Sequence, residues 1–302
     1  MAPFFLSFAS LYSFYLRRCF TASGLAPQTL DLKDGTTIHF WGPNPDQKTL
    51  RKPSLVLIHG FGPAAIWQWR KQVQFFSPDF HVYVPDLVFF GNSTTKSAER
   101  SEVFQAVCVG KLLETIGVKK FAVMGTSYGG FVAYHMAKMW PDKVEKVVIA
   151  SSGVNMKRSD NDALLKRAKV ESIEHLMLPK TPSQLRTLAS LAVSMKLSIV
   201  PDFFLNDFIE KLYSDNRKEK IQLLKGITLG KDDTAKLSPL QQNVLILWGD
   251  HDQIFPLKMA MELKELLGEK SRLEVIEKTS HVPQIEKPQL FNNIVKKFLC
   301  AV

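Results

Sequence analysis

The chain is expected to fold as an α/β protein, a mostly parallel sheet with helices on both faces and a helical segment inserted into it. Short, continuous apolar runs such as Leu55–Ile58 and Val244–Trp248 suit strands buried on both faces. These runs alternate with stretches whose apolar residues recur at helical spacing, which points to strand–helix–strand units. From Gly153 to Pro239 the alternation stops, leaving helical patterns and proline-marked turns without a convincing strand. The expected organisation is a core of residues 26–152 and 240–302, a helical cap of residues 153–239, and an apolar N-terminal segment of residues 1–25.

In order along the chain, Gln28 to Trp41 reads as two strands joined at Asp34-Gly35, a dipeptide suited to a tight turn. The run Leu55–Ile58 ends in His59-Gly60. Ala64 to Phe76 reads as a helix, and Phe80 to Val84 as a buried strand closed by Pro85-Asp86. Ser101 to Ile116 is helical and stops at Gly117. Phe121 to Met124 is a strand that runs into Gly125-Thr126-Ser127-Tyr128-Gly129-Gly130, with a helix from Phe131 to Met139 and a strand from Val144 to Ala150. After the helical insertion come Val244–Trp248 as a strand, Pro256–Leu267 as a helix, Leu273–Ile276 as a strand and Pro288–Leu299 as the final helix.

Composition narrows the class of function. The 302 residues are 45% hydrophobic and 23% charged, which suits a globular domain and excludes a disordered or fibrous chain. The net charge of +10 could attract nucleic acid or an anionic membrane. Its basic residues are interleaved with acids, as in Arg217-Lys218-Glu219-Lys220, and no nucleic-acid-binding signature accompanies them. No nucleic-acid partner is therefore expected. The three cysteines, Cys19, Cys108 and Cys300, are widely spaced and form no CxxC pair for a metal or redox centre. They suit a reduced, cytoplasmic setting, with Cys108 in the core.

Met1 to Leu16 carries no charged side chain and is followed by Arg17-Arg18. It is shorter than the roughly 20 residues that span a bilayer, and its charges follow the apolar run, whereas a secretory signal places them before it. An apolar helix that packs on the domain or dips into a membrane surface, giving peripheral membrane contact through residues 1–18, is preferred over an uncleaved anchor or a signal peptide.

The chemistry centres on the G-x-S-x-G run at Gly125–Gly129. A strand precedes it and a helix follows, the setting in which a serine is lifted on a sharp turn at the end of a strand. Side chains two residues to either side would collide with the turn, so glycine stands there. A serine hydroxyl is a poor nucleophile without a base to take its proton. Of seven histidines, His281 lies in the loop between the last strand and the final helix, after both the elbow and the Val244–Trp248 strand in the chain. A carboxylate must orient that imidazole. Asp250 and Asp252 both follow the Val244–Trp248 strand. Asp252 is preferred because the helix starting at Pro256 leaves it in the strand-end loop, whereas Asp250 suits a turn. The loop His59-Gly60-Phe61-Gly62 and the elbow supply the Phe61 and Tyr128 backbone amides as donors for a developing oxyanion.

Five motifs in order, HGFG at 59–62, PDLVFFGNS at 85–93, GTSYGG at 125–130, GDHDQIFP at 249–256 and SHVPQIEKP at 280–288, make the chain resemble the α/β-hydrolase superfamily across about residues 30–300. Among its members it looks most like the plant enzymes related to monoacylglycerol lipases and meta-cleavage-product hydrolases. The resemblance implies an eight-stranded, mostly parallel sheet, a helical cap, no cofactor and a small-molecule ester substrate cleaved by Ser127, His281 and Asp252. Thr126 stands where many relatives have His, and Ser280 where Gly often precedes the base. Epoxide hydrolases and haloalkane dehalogenases carry Asp at the elbow, so Ser127 disfavours those reactions. Two other roles on the same scaffold stay open: a small-molecule receptor that keeps the triad with little turnover, and a carbon–carbon bond hydrolase.

Overall fold

The computed structural model describes residues 7–44, 52–195, 197–234 and 237–301. The first six residues of the predicted N-terminal segment lie outside the described residues.

Among the described residues nine strands form one sheet. In chain order they are β1 (Leu25–Asp31), β2 (Thr36–Pro43), β3 (Ser54–Ile58), β4 (His81–Pro85), β5 (Thr94–Thr95), β6 (Phe121–Thr126), β7 (Val144–Ala150), β8 (Asn243–Gly249) and β9 (Ser271–Ile276). Eight follow one hydrogen-bonded path in the order β1-β2-β4-β3-β6-β7-β8-β9. β1 and β2 pair antiparallel, and β2 joins β4 antiparallel; from β4 to β9 every pairing is parallel. The ninth strand, β5, is a two-residue pairing on β2 that the eight-strand expectation omits. Its two threonines give no apolar or alternating pattern long enough to read.

The continuous apolar runs are explained by two buried faces. Along β3, Leu55 and Leu57 join one cluster and Val56 and Ile58 the other; along β8, Leu245 and Leu247 separate from Val244, Ile246 and Trp248 in the same way. Successive side chains of a strand point to opposite faces, so a run without polar residues needs cover on both. One face is covered by α3 (Glu102–Thr115), α4 (Tyr128–Met139) and α10 (Leu257–Leu267). The other is covered by α1 (Phe8–Ala22), α2 (Ala65–Phe76) and α12 (Pro288–Cys300). Between β9 and α12 lies the short helix α11 (Pro283–Glu286).

Among the described residues five α-helices stand between β7 and β8, namely α5 (Arg158–Ala168), α6 (Ile173–Met177), α7 (Pro182–Ala192), α8 (Asp202–Tyr213) and α9 (Arg217–Gly226), with a short 3-10 turn at Leu197–Ile199. They share an apolar cluster built from Leu176, Leu185, Leu188, Leu205, Ile209 and their neighbours, to which Phe61 and Ile254 of the sheet-end loops contribute. A buried carboxylate ties this insertion to the core. Glu102, at the start of α3, accepts from the Thr228 N–H at 2.9 Å and from the Thr228 hydroxyl, with His135 of α4 at 3.5 Å. Burial works against its charge, but these donors together hold the Glu102 carboxyl below the usual range.

Helix α1 runs further than its uncharged stretch, through Arg17-Arg18 to Ala22. Leu16 and Phe20 are buried beside Trp41 and Trp69, and Ser23 closes the last turn. The Ser7 side chain accepts the Ser10 N–H at the other end.

Candidate active site

The elbow is the sharpest feature of the backbone. Ser127 has φ 52 and ψ −124, a region a non-glycine residue enters only when its surroundings force it. The constraint is visible on both sides. The Ser127 N–H donates to Ala150 O at 2.9 Å, and Ser152 donates its hydroxyl to Ser127 O at 2.6 Å. The glycines are dictated by contact: a Cβ on Gly125 would meet the Gly129 carbonyl, and one on Gly129 would meet the carbonyls of Ile58 and His59. Helix α4 begins at Tyr128, three residues before the apolar pattern starts, because Gly129 and Gly130 carry no side chain to show it.

The His281 Nδ1–H donates to Asp252 Oδ2 at 2.8 Å, a carboxylate being able only to accept. The other oxygen, Oδ1, accepts the N–H groups of Ile254 and Phe255 at 2.8 and 2.9 Å. Both side chains are buried, at 7% and 0% exposure. Asp250 is engaged elsewhere. It is partly exposed, accepts the Thr279 N–H at 3.2 Å, and lies 3.8 Å from His251. Partial burial opposes its charge, but the Lys278 and Thr279 N–H groups and the nearby His251 hold its carboxyl below the usual range.

Ser127 and His281 line one cavity of about 550 Å³ between the sheet ends and the insertion. Its wall is almost wholly apolar, with Leu188, Val193, Leu205 and Phe208 from the insertion and Phe8 and Tyr12 from α1. The floor includes Gly60 and Phe61, with a Cβ on Gly60 falling 3.1 Å from that of Ser127. Neither the Phe61 nor the Tyr128 N–H donates to another described residue.

Three further residues brace the site, and of these only Gln68 lies outside the five motifs. Gln68, on α2, accepts the Gly60 N–H at 2.8 Å and donates to the carbonyls of Gly60 and Pro63, so it fixes the 60–63 loop. His59 is wholly buried; Leu87 N–H donates to its Nε2 at 3.0 Å, which leaves Nδ1–H to donate to Gly60 O. Burial, opposed by the Asp86 carboxylate, lowers its pKa, so this ring is a neutral brace. Glu286 accepts the Ser280 N–H at 2.6 Å together with the Ser194 N–H and hydroxyl, linking the His281 loop to the insertion. Single glutamines and glutamates on helices carry no sequence signal for such contacts.

A second pair, His39 Nδ1 to Asp86 Oδ2, also measures 2.8 Å. Asp86 Oδ1 accepts the Ala65 N–H at the start of α2, and neither residue reaches the cavity. Geometry within a His–Asp pair therefore does not single out a site; proximity to the elbow does. Among the described residues no cluster of three or more His, Cys, Asp or Glu side chains is disposed to hold a metal ion. Cys108 is buried, and its thiol is pushed up to about 12 by burial.

A doubly covered parallel sheet with a strained serine at a strand–helix turn defines a hydrolase scaffold of a particular kind. The chain belongs to the alpha/beta hydrolase fold family, which it matches over residues 53–288. It is similar to monoacylglycerol lipase ABHD6 of Mus musculus, 26% identical over 270 residues that cover 83% of this chain and 76% of the relative. A 2-hydroxy-6-oxononadienedioate/2-hydroxy-6-oxononatrienedioate hydrolase of Pseudomonas putida is 23% identical over 255 residues, covering 82% and 88%. Epoxide hydrolases of Mus musculus and Xenopus tropicalis also match. Among solved structures, a bacterial membrane phospholipase A superposes with a TM-score of 0.77 at 21% identity, covering 96% of this chain and 90% of that one. At that identity the likeness speaks to the fold.

Proposed function

We propose that the protein is a serine hydrolase that cleaves carboxylic esters with an apolar acyl or alcohol part, monoacylglycerols being the nearest lipid class. The observation that carries this reading is the apolar cavity that holds both Ser127 and an Asp252-braced His281. In it, His281 Nε2 takes the Ser127 hydroxyl proton as Oγ attacks the ester carbonyl, and Asp252 stabilises the imidazolium. The Phe61 and Tyr128 N–H groups hold the oxyanion; each such donor is worth about 10²–10³ in rate in comparable systems. The tetrahedral intermediate collapses, His281 returns the proton to the leaving alcohol, and the acyl group stays on Ser127. Water, deprotonated by His281, then releases the acid.

Cavity size and chemistry support the substrate class. About 550 Å³ falls within the roughly 300–1,000 Å³ of small-molecule sites. The similarity to a dienedioate hydrolase raises carbon–carbon cleavage as a second reading. A dianionic substrate wants cationic partners, and the described lining residues include no Arg or Lys. Ester hydrolysis is the better match.

Fluorophosphonate labelling of the wild type and Ser127→Ala, followed by p-nitrophenyl esters of increasing chain length, tests the reading. Label on the wild type alone and a preference for medium or long chains is the expected result. Equal labelling of both proteins would remove Ser127 as nucleophile, and a strict preference for acetate would remove the lipid-like substrate.

A further inference from the structure

Helix α1 has two apolar faces, and only one is covered. Leu16, Cys19 and Phe20 are buried, while Phe8, Leu11, Tyr12, Phe14 and Tyr15 are exposed by 42–60%. A helix resting on a soluble domain normally turns polar residues outward. The exposed strip continues onto the insertion, where Met195, Ile199 and Phe203 are exposed by 65%, 87% and 60%. Ring contacts join the two: Phe8 lies 4.5 Å from Phe204, which lies 4.1 Å from Phe203. The cavity reaches the surface within this strip, since Phe8, Tyr12 and Met195 are lining residues and exposed at once.

Positive charges predominate along α1. Arg17 and Arg18 follow on α1, with the Arg18 guanidinium 5.8 Å from the Phe14 ring centroid, and Arg70 of α2 lies 5.6 Å from the Tyr15 centroid. The nearby acids are engaged. Asp207 accepts the Ala9 N–H at 2.8 Å, and Asp202 pairs with Arg186 at 2.7 Å. No helix among the described residues is long and apolar enough to cross a membrane. Aromatic and aliphatic side chains bordered by Arg are the composition of a surface that lies in a headgroup layer, with anionic lipid as the complementary charge. The net charge of +10 acts in the same direction.

We propose that α1 and the residues Met195, Ile199 and Phe203 form one docking surface for an anionic lipid bilayer, with the cavity opening within it. Docking needs no turnover, so the proposal stands or falls separately from ester hydrolysis. The test is sedimentation of the full chain with phosphatidylcholine/phosphatidylserine vesicles and with phosphatidylcholine alone. The wild type should partition onto the anionic vesicles, less so as salt rises. The pairs Leu11→Asp/Phe14→Asp and Ile199→Asp/Phe203→Asp should each lower the bound-to-free ratio tenfold or more. Met261→Asp/Leu290→Asp, at exposed apolar positions elsewhere, should leave it unchanged. Circular dichroism and melting verify folding, and Phe14→Ser and Phe203→Ser replace any pair that fails it. Absence of wild-type binding, equal loss in the control pair, or dependence on α1 alone would overturn the proposal. So would a dimer in gel filtration that both pairs dissociate without any vesicle binding, which would assign the strip to a second copy.

Discussion

The main-chain N–H of His281 donates to the carbonyl of Ala192 across 3.2 Å, joining the loop that carries the imidazole to the last turn of α7. Ser280 adds a hydroxyl bond to Leu191 O at 3.2 Å, and Glu286 collects the N–H groups of Ser280 and Ser194. The insertion therefore walls the cavity and also holds the ring that faces it.

The first prediction follows from that clasp. Glu286→Ala should lower kcat by about 10–100-fold with KM changed less than about threefold, because a small displacement of a reacting group costs rate more than binding. Glu286→Gln, which keeps one acceptor oxygen, should recover part of the loss. Steady-state kinetics on a p-nitrophenyl ester decide it; kcat within twofold of wild type in both variants would show that the clasp is only structural.

The two candidate acids make a second, sharper contrast. Asp252→Asn should reduce kcat by about 10⁴-fold, since an amide facing Nδ1 favours the wrong tautomer. Asp250→Asn keeps an oxygen for the Thr279 N–H and should change kcat by less than about fivefold. Reversed magnitudes would transfer the role to Asp250.

Steric necessity at the elbow is testable by stability alone. Gly129→Ala places a methyl group against the Ile58 and His59 carbonyls, and backbone there has nowhere to move. We expect a loss of more than about 3 kcal/mol or no soluble protein. Gly268→Ala meets nothing within 4 Å and should cost less, about 1–3 kcal/mol, the strain of a backbone at φ 77 and ψ −159. Chemical denaturation of the two variants side by side separates contact from conformation.

Glu102 carries a pH dependence. Its folded carboxyl is held below its unfolded value, so the unfolded chain binds the proton more readily. The stabilisation is fully present above the ordinary carboxylate range, about 4.3, and is lost as pH falls through the folded value. Glu102→Gln should thus be less stable than wild type at neutral pH, and the gap should narrow progressively under acid. Melting curves from pH 7 to pH 3 test this; a gap independent of pH would show that charge is not what Glu102 contributes.

Much of this was legible from the residues themselves. The strands β3, β6 and β8 stood out because burial on both faces strips a run of polar residues, and β4 and β7 because the same holds past His81 and past Glu145-Lys146. The elbow stood out because its glycines are required by contacts within a few residues and across one neighbouring strand. Asp252 could be preferred over Asp250 from Pro256 alone, which fixed where the loop ended and the next helix began.

Other features depend on approach through space. Gln68 braces Gly60 and Glu286 braces Ser280, yet neither residue type is unusual on a helix. The His39–Asp86 pair has the same 2.8 Å separation as the pair at the cavity and differs only in what surrounds it. For α1 the sequence specified an apolar helix; which of its faces would be buried was decided by packing beside Trp41 and Trp69, while Asp207 and Phe204, about two hundred residues away in the chain, meet its first turn. Local backbone preference and the periodicity of burial are written within short stretches, and they determined the elements and the turn that presents Ser127. Convergence of distant side chains is set by how helices pack on the finished sheet, and only the tertiary structure could decide which of them would meet.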